Sequence, residues 1–212
     1  MSTRSFVLAA VLLGLAPAFA SSNLTASVTA GSLGIGPEIG WRGKRIGLRA
    51  NATFLPIHHS VRSAGVHYQG RVKLDSAGAM LDFYPFDGGF RLSGGARHNA
   101  NRARAMATPT KGASVGGQTF TPAEIGTLRG RADVRDFAPA LSIGYGSGPG
   151  RGFAWGIDGG ALSQGRPRLA PITSSTGLIP QARLDAERAD LQGDVSSYTI
   201  HPIVQLSAGC RF

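Results

Sequence analysis

The sequence predicts an all-β protein: an antiparallel up-and-down transmembrane β-barrel of eight strands, with a short helix in the last long loop. Three observations support this fold class. Segments of about ten residues alternate between apolar and polar side chains, as strands do when each face meets a different environment. The chain opens with a secretory leader, and its last alternating segment ends on an aromatic residue, Phe212.

Residues 1–20 have the features of a signal peptide that is cleaved after Ala20. Arg4 supplies the positive charge, residues 6–15 are apolar or small, Pro17 interrupts the run, and Ala18-Phe19-Ala20 fits signal peptidase. The apolar run is about half the roughly 20 residues that a membrane-spanning helix needs. We therefore expect residues 21–212 to form one exported domain.

The charge and the cysteine content of the chain exclude several classes of function. The 22 Lys and Arg outnumber the 12 Asp and Glu, giving a net charge of +10 that would suit nucleic acid. An exported protein does not meet chromosomal DNA, so no nucleic-acid partner is expected. The single Cys excludes an intramolecular disulfide and a Cys-rich zinc module, and we expect neither a metal nor a cofactor.

Seven segments alternate clearly, and tight turns around Gly43, Gly88 and Pro149 join some of them. They cover residues 33–41, 46–54, 77–83, 90–96, 137–145, 153–157 and 202–212. If the tight turns lie on one rim, the first and last of these segments run in the same direction. An antiparallel ring then needs an eighth strand, which we place at residues 22–30. The alternative is a strand within residues 166–174.

Three longer connections cover residues 57–69, 106–130 and 164–197. Within them, residues 115–120 fit a small hairpin, because two glycines stand at its centre. Residues 181–192 fit a helix that follows Pro180 and ends at Gly193. Long loops at one rim and tight turns at the other are typical of outer-membrane barrels.

The chain resembles the small outer-membrane β-barrel families typified by the transmembrane domain of outer membrane protein A and by outer membrane protein W. The resemblance is carried by residues 33–54, by residues 80–86 with the glycine-rich strand after them, and by the final strand. The N-terminal strand and first loop are shorter than in these families. The resemblance implies an integral barrel that interacts with the assembly machinery through its C-terminal strand.

The alternation assigns charged residues to the barrel interior, where an eight-stranded ring leaves room only for side chains. The predicted interior ion-pair network contains Glu38, Arg49, Asp82, Arg91, Arg97, Asp136, Asp158 and Arg211. Such a network would plug and stabilise the barrel, and the alternative is a narrow passage for small anions. The predicted membrane girdle and assembly signal contain Trp41, Phe86, Phe90, Tyr145, Phe153 and Phe212.

A catalytic site is not expected, although His58, His59 and Ser60 deserve comparison with barrel-borne lipid hydrolases. A nucleophile and base need hydrogen-bond reach and an orienting carboxylate. No Asp or Glu lies near these residues in the sequence, and adjacent strand residues face opposite ways.

The sequence thus predicts a non-enzymatic protein of the bacterial outer membrane with a structural or surface-interaction role and at most limited passive diffusion of small solutes. Expected partners are outer-membrane lipids. The surplus loop arginines suit the phosphates of lipopolysaccharide, and the alternative is that they are ordinary solvated loop charges. Two alternatives remain open: the lipid hydrolase, and a soluble periplasmic lipocalin-like binder with apolar residues inside.

Overall fold

A computed structural model describes residues 23–63 and 65–212. The predicted signal peptide, residues 1–20, lies outside the described residues. The strands are β1 (Leu24–Gly31), β2 (Gly34–Arg42), β3 (Ile46–Ser63), β4 (Val66–Phe83), β5 (Arg91–Asn99), β6 (Arg102–Pro109), β7 (Ala113–Val115), β8 (Gln118–Phe120), β9 (Leu128–Asp133), β10 (Phe137–Gly146), β11 (Gly152–Ser163), β12 (Arg168–Leu169), β13 (Thr173–Ser174) and β14 (Ile200–Arg211). The helices are α1 (Pro122–Ile125) and α2 (Gln181–Val195).

Eight of these strands close into an antiparallel ring, which confirms the predicted fold class. Their order around the ring is β1, β2, β3, β4, β5, β10, β11 and β14. The ring closes where β1 pairs with β14, from Thr25 opposite Arg211 to Gly31 opposite Gln205. The eighth strand therefore lies at the N-terminus, as predicted. The alternative location holds only the two-residue strands β12 and β13, which pair with β9 outside the ring.

The ring has a polar interior and an apolar exterior. Buried polar side chains point into the lumen, among them Glu38, Thr53 and Asp82, whereas Leu141 and Phe153 on the outside are 71% and 73% exposed. A soluble binder would have the reverse arrangement, because burial of apolar area drives its folding in water. The arrangement opposes the lipocalin-like alternative.

The prediction of a long loop over residues 57–69 was wrong, because residues 57–63 and 66–69 lie in strands. β3 and β4 form one long hairpin whose pairing runs without interruption from Ile46 opposite Phe83 to Ser63 opposite Val66. β6 continues the line of β5 along β4, and β9 continues the line of β10 along β6. The sheet therefore rises beyond the ring as a wall, which we call the extension (residues 55–63, 65–74, 102–109, 128–133 and 168–174).

A second small core lies among the remaining loop elements. The predicted hairpin is present as β7 and β8, turning at Gly116 and Gly117, which both have positive φ angles of 55° and 77°. Val115, Phe120, Ile125, Ile172, Ile179 and Leu184 pack together. The predicted helix is present as α2 but continues past Gly193 to Val195.

The one-turn helix α1 is fixed by reciprocal side-chain bonds at its start. Thr121 Oγ1 accepts from the Glu124 backbone N–H, and the Glu124 carboxylate accepts from the Thr121 backbone N–H and hydroxyl. These bonds stabilise the charged carboxylate and hold the pKa of Glu124 below its usual range. Among the described residues, no helix is long and apolar enough to cross a membrane.

Close packing of the ring strands predicts different results for two neighbouring glycines of β11. A Cβ on Gly160 would lie 2.1 Å from the carbonyl oxygen of Leu141, whereas a Cβ on Gly159 would meet nothing within 4 Å. We expect Gly160→Ala to lower the free energy of unfolding by about 1–3 kcal/mol, because backbone must move. Gly159→Ala is the control and should change it by less than about 0.5 kcal/mol. Urea unfolding in detergent micelles measures both, and equal midpoints would contradict the close approach.

Candidate functional site: the barrel lumen

The centre of the lumen is occupied by an arginine that bridges two aspartates. Arg49 on β3 donates from Nε to Asp82 Oδ2 at 2.6 Å and from Nη1 to Asp158 Oδ2 at 3.1 Å. Asp82 lies on the adjacent strand β4, whereas Asp158 lies on β11, directly across the ring. Arg49 therefore spans the lumen and ties opposite walls together.

A second arginine completes the charge balance around Asp158. Arg91 on β5 donates from Nη2 to Asp158 Oδ2 at 2.6 Å and from Nε to Asp158 Oδ1 at 3.1 Å. Ser93 donates to Asp82 Oδ1 at 2.6 Å. Both aspartates are almost completely buried, so each depends on these partners to offset the loss of water.

Glu38 and Arg97 form a further polar layer linked through Asn51. Asn51 Nδ2 donates to Glu38 Oε2 at 2.9 Å, and Asn51 Oδ1 accepts from Arg97 Nη1 at 2.6 Å. Arg97 also donates to the hydroxyls of Ser76 and Thr53. Arg97 therefore binds neutral acceptors. The cation nearest to Glu38 is Arg49, whose Nη1 lies 3.8 Å from Glu38 Oε2.

The rim that faces the extension is filled by apolar side chains. Leu33, Met80, Ala138, Ala140, Leu162 and Ile203 form this cluster. The alternation with Ile35 predicted that Leu33 faces outward, but Leu33 is buried in the lumen. Gly34 between them has a φ of 109°, and the turn at this position places the Leu33 side chain on the inner side of the sheet. A cavity of about 30 Å³ remains between the apolar cluster and the polar layers. That volume is about that of one or two waters.

The opposite rim, with the tight turns, is covered by Arg42 and Tyr84. The Arg42 guanidinium lies 3.8 Å from the centre of the Tyr84 ring and donates to the carbonyl oxygens of Gly88 and Ser147 at 2.6 and 3.3 Å. Arg42 was not among the residues predicted for the interior, although its position one residue after outward-facing Trp41 places it inside. Polar or apolar side chains thus occupy the lumen at every level.

The structure brings together five of the eight residues predicted for the interior network: Glu38, Arg49, Asp82, Arg91 and Asp158. Arg97 lies in the lumen beside neutral partners. Arg211 lies at the tight-turn rim, where it donates to Thr25 Oγ1 and to the Gly148 carbonyl oxygen.

The placement of Asp136 in the interior network was wrong. Asp136 is exposed and precedes the first residue of β10. Asp136 has the same parity as the inward residues of β10, but it lies before the strand begins, so the parity does not set the side on which it lies. Its backbone carbonyl oxygen accepts a hydrogen bond from the Asn99 N–H at 2.6 Å.

The predicted girdle residues surround the tight-turn rim. Trp41, Phe86, Tyr145 and Phe153 are exposed, and Phe90 and Phe212 are half-buried. Phe86 and Phe90 lie 5.9 Å apart, as ring centroids, and Tyr145 lies 6.1 Å from Trp155. The Phe212 N–H donates to the Leu24 carbonyl oxygen, which fixes the chain end beside β1.

His58, His59 and Ser60 lie on the extension, far along β3 from the ring. His58 and Ser60 share one face, His59 points to the other, and His58 Nδ1 accepts from Arg71 Nε at 3.1 Å. The groove beside them is lined by no Asp or Glu among the residues described. No group of three potential metal ligands lies among the residues that the structure describes.

Comparison with known proteins shows a shared fold. A crystal structure of CarO2 from Acinetobacter baumannii matches with a TM-score of 0.62 at 16% identity, covering 89% of this chain and 98% of that one. A crystal structure of CarO from the same organism gives a TM-score of 0.57 at 16% identity, covering 92% and 99%. These CarO proteins are outer-membrane β-barrels. No family model and no curated protein matches the chain.

The lumen network predicts a large effect of removing its central cation. Arg49→Met would leave Asp82 with Ser93 as its remaining side-chain partner, and we expect a loss of about 3–5 kcal/mol in the free energy of unfolding. Arg45→Met, at an exposed turn position, is the control and should cost less than about 0.5 kcal/mol. Adding Asp82→Asn to Arg49→Met should restore part of the loss, since it removes the unpaired charge.

Denaturant unfolding of the four proteins in the same detergent measures these differences. Equal stability of Arg49→Met and Arg45→Met would contradict a structural role for the bridge.

Proposed function

We propose that this protein is an integral β-barrel of the bacterial outer membrane with a structural or surface-interaction role. The observation that carries the proposal is the filled lumen inside an apolar exterior. Exposed apolar side chains such as Leu141, Ile143 and Phe153 surround the ring. A continuous apolar surface of this kind marks a membrane interaction site, and closed barrels satisfy all backbone groups within lipid.

The filled lumen favours a structural or surface role over transport. Arg49 and its aspartates cross the centre, the Leu33–Met80–Leu162 cluster fills one end, and Arg42 with Tyr84 covers the other. Moving a solute through would require breaking buried ion pairs, which is costly. Such a lumen permits at most limited passive diffusion of small solutes.

The C-terminal strand supports interaction with the barrel-assembly machinery. Val204 and Leu206 of β14 are each 57% exposed on the outer side, and alternate with buried Ile203 and Gln205. The apolar residues continue to the terminal Phe212. We further propose that the protein is not an enzyme, because no Asp or Glu among the described residues lines the groove beside His58 and Ser60 to orient the histidine.

Heat-modifiability tests the membrane barrel. Detergent-extracted outer-membrane fractions should contain the protein, and unboiled samples should migrate differently from boiled samples on a denaturing gel, because a closed barrel resists detergent unfolding. The soluble periplasmic fraction serves as the control. Recovery of the chain in that fraction, without a mobility shift, would contradict the proposal.

Planar-bilayer recording tests the filled lumen. The folded protein should insert without giving discrete channel steps, whereas a sixteen-stranded porin reconstituted in parallel should conduct, since its ring leaves an aqueous channel. Reproducible ohmic steps that scale with the amount of folded protein would contradict the structural role and favour the anion passage.

A further inference from the structure

The extension presents a row of basic side chains that is in register across adjacent strands. Arg71 on β4 is directly opposite Arg104 on β6, and Arg104 is directly opposite Arg131 on β9. His58 on β3 is the neighbour of Arg71 on its other side. We call Arg71, Arg104 and Arg131 the arginine row.

Like charges directly opposite one another destabilise a sheet, because their Cβ atoms are only about 4.5–5.5 Å apart. A nearby carboxylate balances only one member of the row, Arg131. Asp133 contacts Arg131 at 2.8 Å, but within residues 23–63 and 65–212 no Asp or Glu pairs with Arg71 or Arg104. The same is true of Arg129, which lies beside the row. An anion from outside the chain would remove this repulsion.

The arginine row faces the same side as the apolar exterior of the ring. β3 and β4 keep one uninterrupted register over their whole length, so alternate residues of β4 stay on one side. Phe83 and Leu81 point outward at the ring. The same parity leads along β4 through Asp75, which forms an ion pair with Lys73, and on to Arg71. The basic surface is therefore the upward continuation of the proposed lipid-facing surface.

The height of the row matches the level of lipid headgroups. Ten residues of β4 separate Phe83, near the tight-turn rim, from Lys73. At about 3.3 Å per residue and a strand tilt of about 40°, this corresponds to about 25 Å along the barrel axis. The apolar band of an outer-membrane barrel is also about 25 Å tall. Lys73 and the arginine row thus begin where the acyl chains of the outer leaflet end.

The row also lines a groove with room for a ligand. Its volume is about 660 Å³, and its walls include the arginine row, Arg129, Pro171 and Thr173. Guanidinium groups bind phosphate oxygens through two parallel N–H bonds, which makes clustered arginines suited to phosphate.

We propose that this groove binds the phosphate groups of the phosphorylated glycolipid that forms the outer leaflet, lipopolysaccharide. The proposal rests on the proposed function, since it requires the barrel to lie in the outer membrane. The lipid phosphates neutralise the opposed arginines, and the adjoining apolar surface accommodates acyl chains. The extension is thereby held against the membrane surface.

The test compares binding of diphosphorylated lipid A to the delipidated full chain, folded in detergent, with binding to two charge-matched double variants. Arg71→Gln/Arg104→Gln should raise the dissociation constant by about ten-fold or more, because charge-assisted bonds are lost. Lys44→Gln/Arg45→Gln removes two exposed positive charges at the tight-turn rim and should leave the constant unchanged. Monophosphorylated and dephosphorylated lipid A should bind progressively more weakly to the unaltered chain.

Equal binding by the two double variants, or no dependence on lipid phosphorylation, would overturn the proposal. Competition by inorganic pyrophosphate at the same concentration as lipid A would also overturn it, because the site would then be one for free phosphate. If Arg71→Gln/Arg104→Gln does not fold, the phosphorylation series and its weakening by salt decide the result on the unaltered chain. The heat-modifiable shift of each protein reports the barrel separately, so loss of lipid binding alone leaves the proposed function intact.

Discussion

The rest of the structure depends on the pairing of charges inside a narrow ring. Eight strands enclose a space just large enough for side chains, so a charge placed there loses most of its water and needs a partner. Arg49 meets this requirement from both sides, with Asp82 on the neighbouring strand and Asp158 across the lumen. The Arg49 ion pairs hold β3 and β11 at a fixed distance across the lumen. The polar layer of Asn51 and Arg97 lies next to these ion pairs.

The same strands meet two environments along their length. At the ring, most outward positions of β3 and β4 are apolar, and the inward positions are mostly polar, with Met80 as an apolar exception. Beyond the ring, the outward positions become basic while β7, β8, α1 and α2 form their own small apolar core. The uninterrupted register of the β3–β4 hairpin carries one surface from the proposed lipid region to the proposed headgroup region. The CarO likeness extends over most of the chain and is one of fold.

Alternation predicted the strands well wherever one face is apolar, as in 77–83 and 137–145. It failed in residues 57–69, because the outer half of the hairpin carries polar or charged side chains such as His58 and Arg71 and therefore has no apolar period to detect. Leu33 and Asp136 were misplaced for a related reason. Each lies beside a turn or an interruption, where the two-residue period no longer sets the side of the sheet.

By itself, the sequence determined the fold class, the N-terminal position of the eighth strand and most of the charges inside, since a two-residue period is a local property. Only the tertiary structure decided which of those charges meet. Closing the ring brings β3 opposite β11, although Arg49 and Asp158 are distant in the chain. In the extension, the pairing of β4 with β6 and of β6 with β9 aligned Arg71, Arg104 and Arg131. These strands are joined by loops and not by tight turns, so the two-residue period alone does not fix which of their residues lie opposite one another.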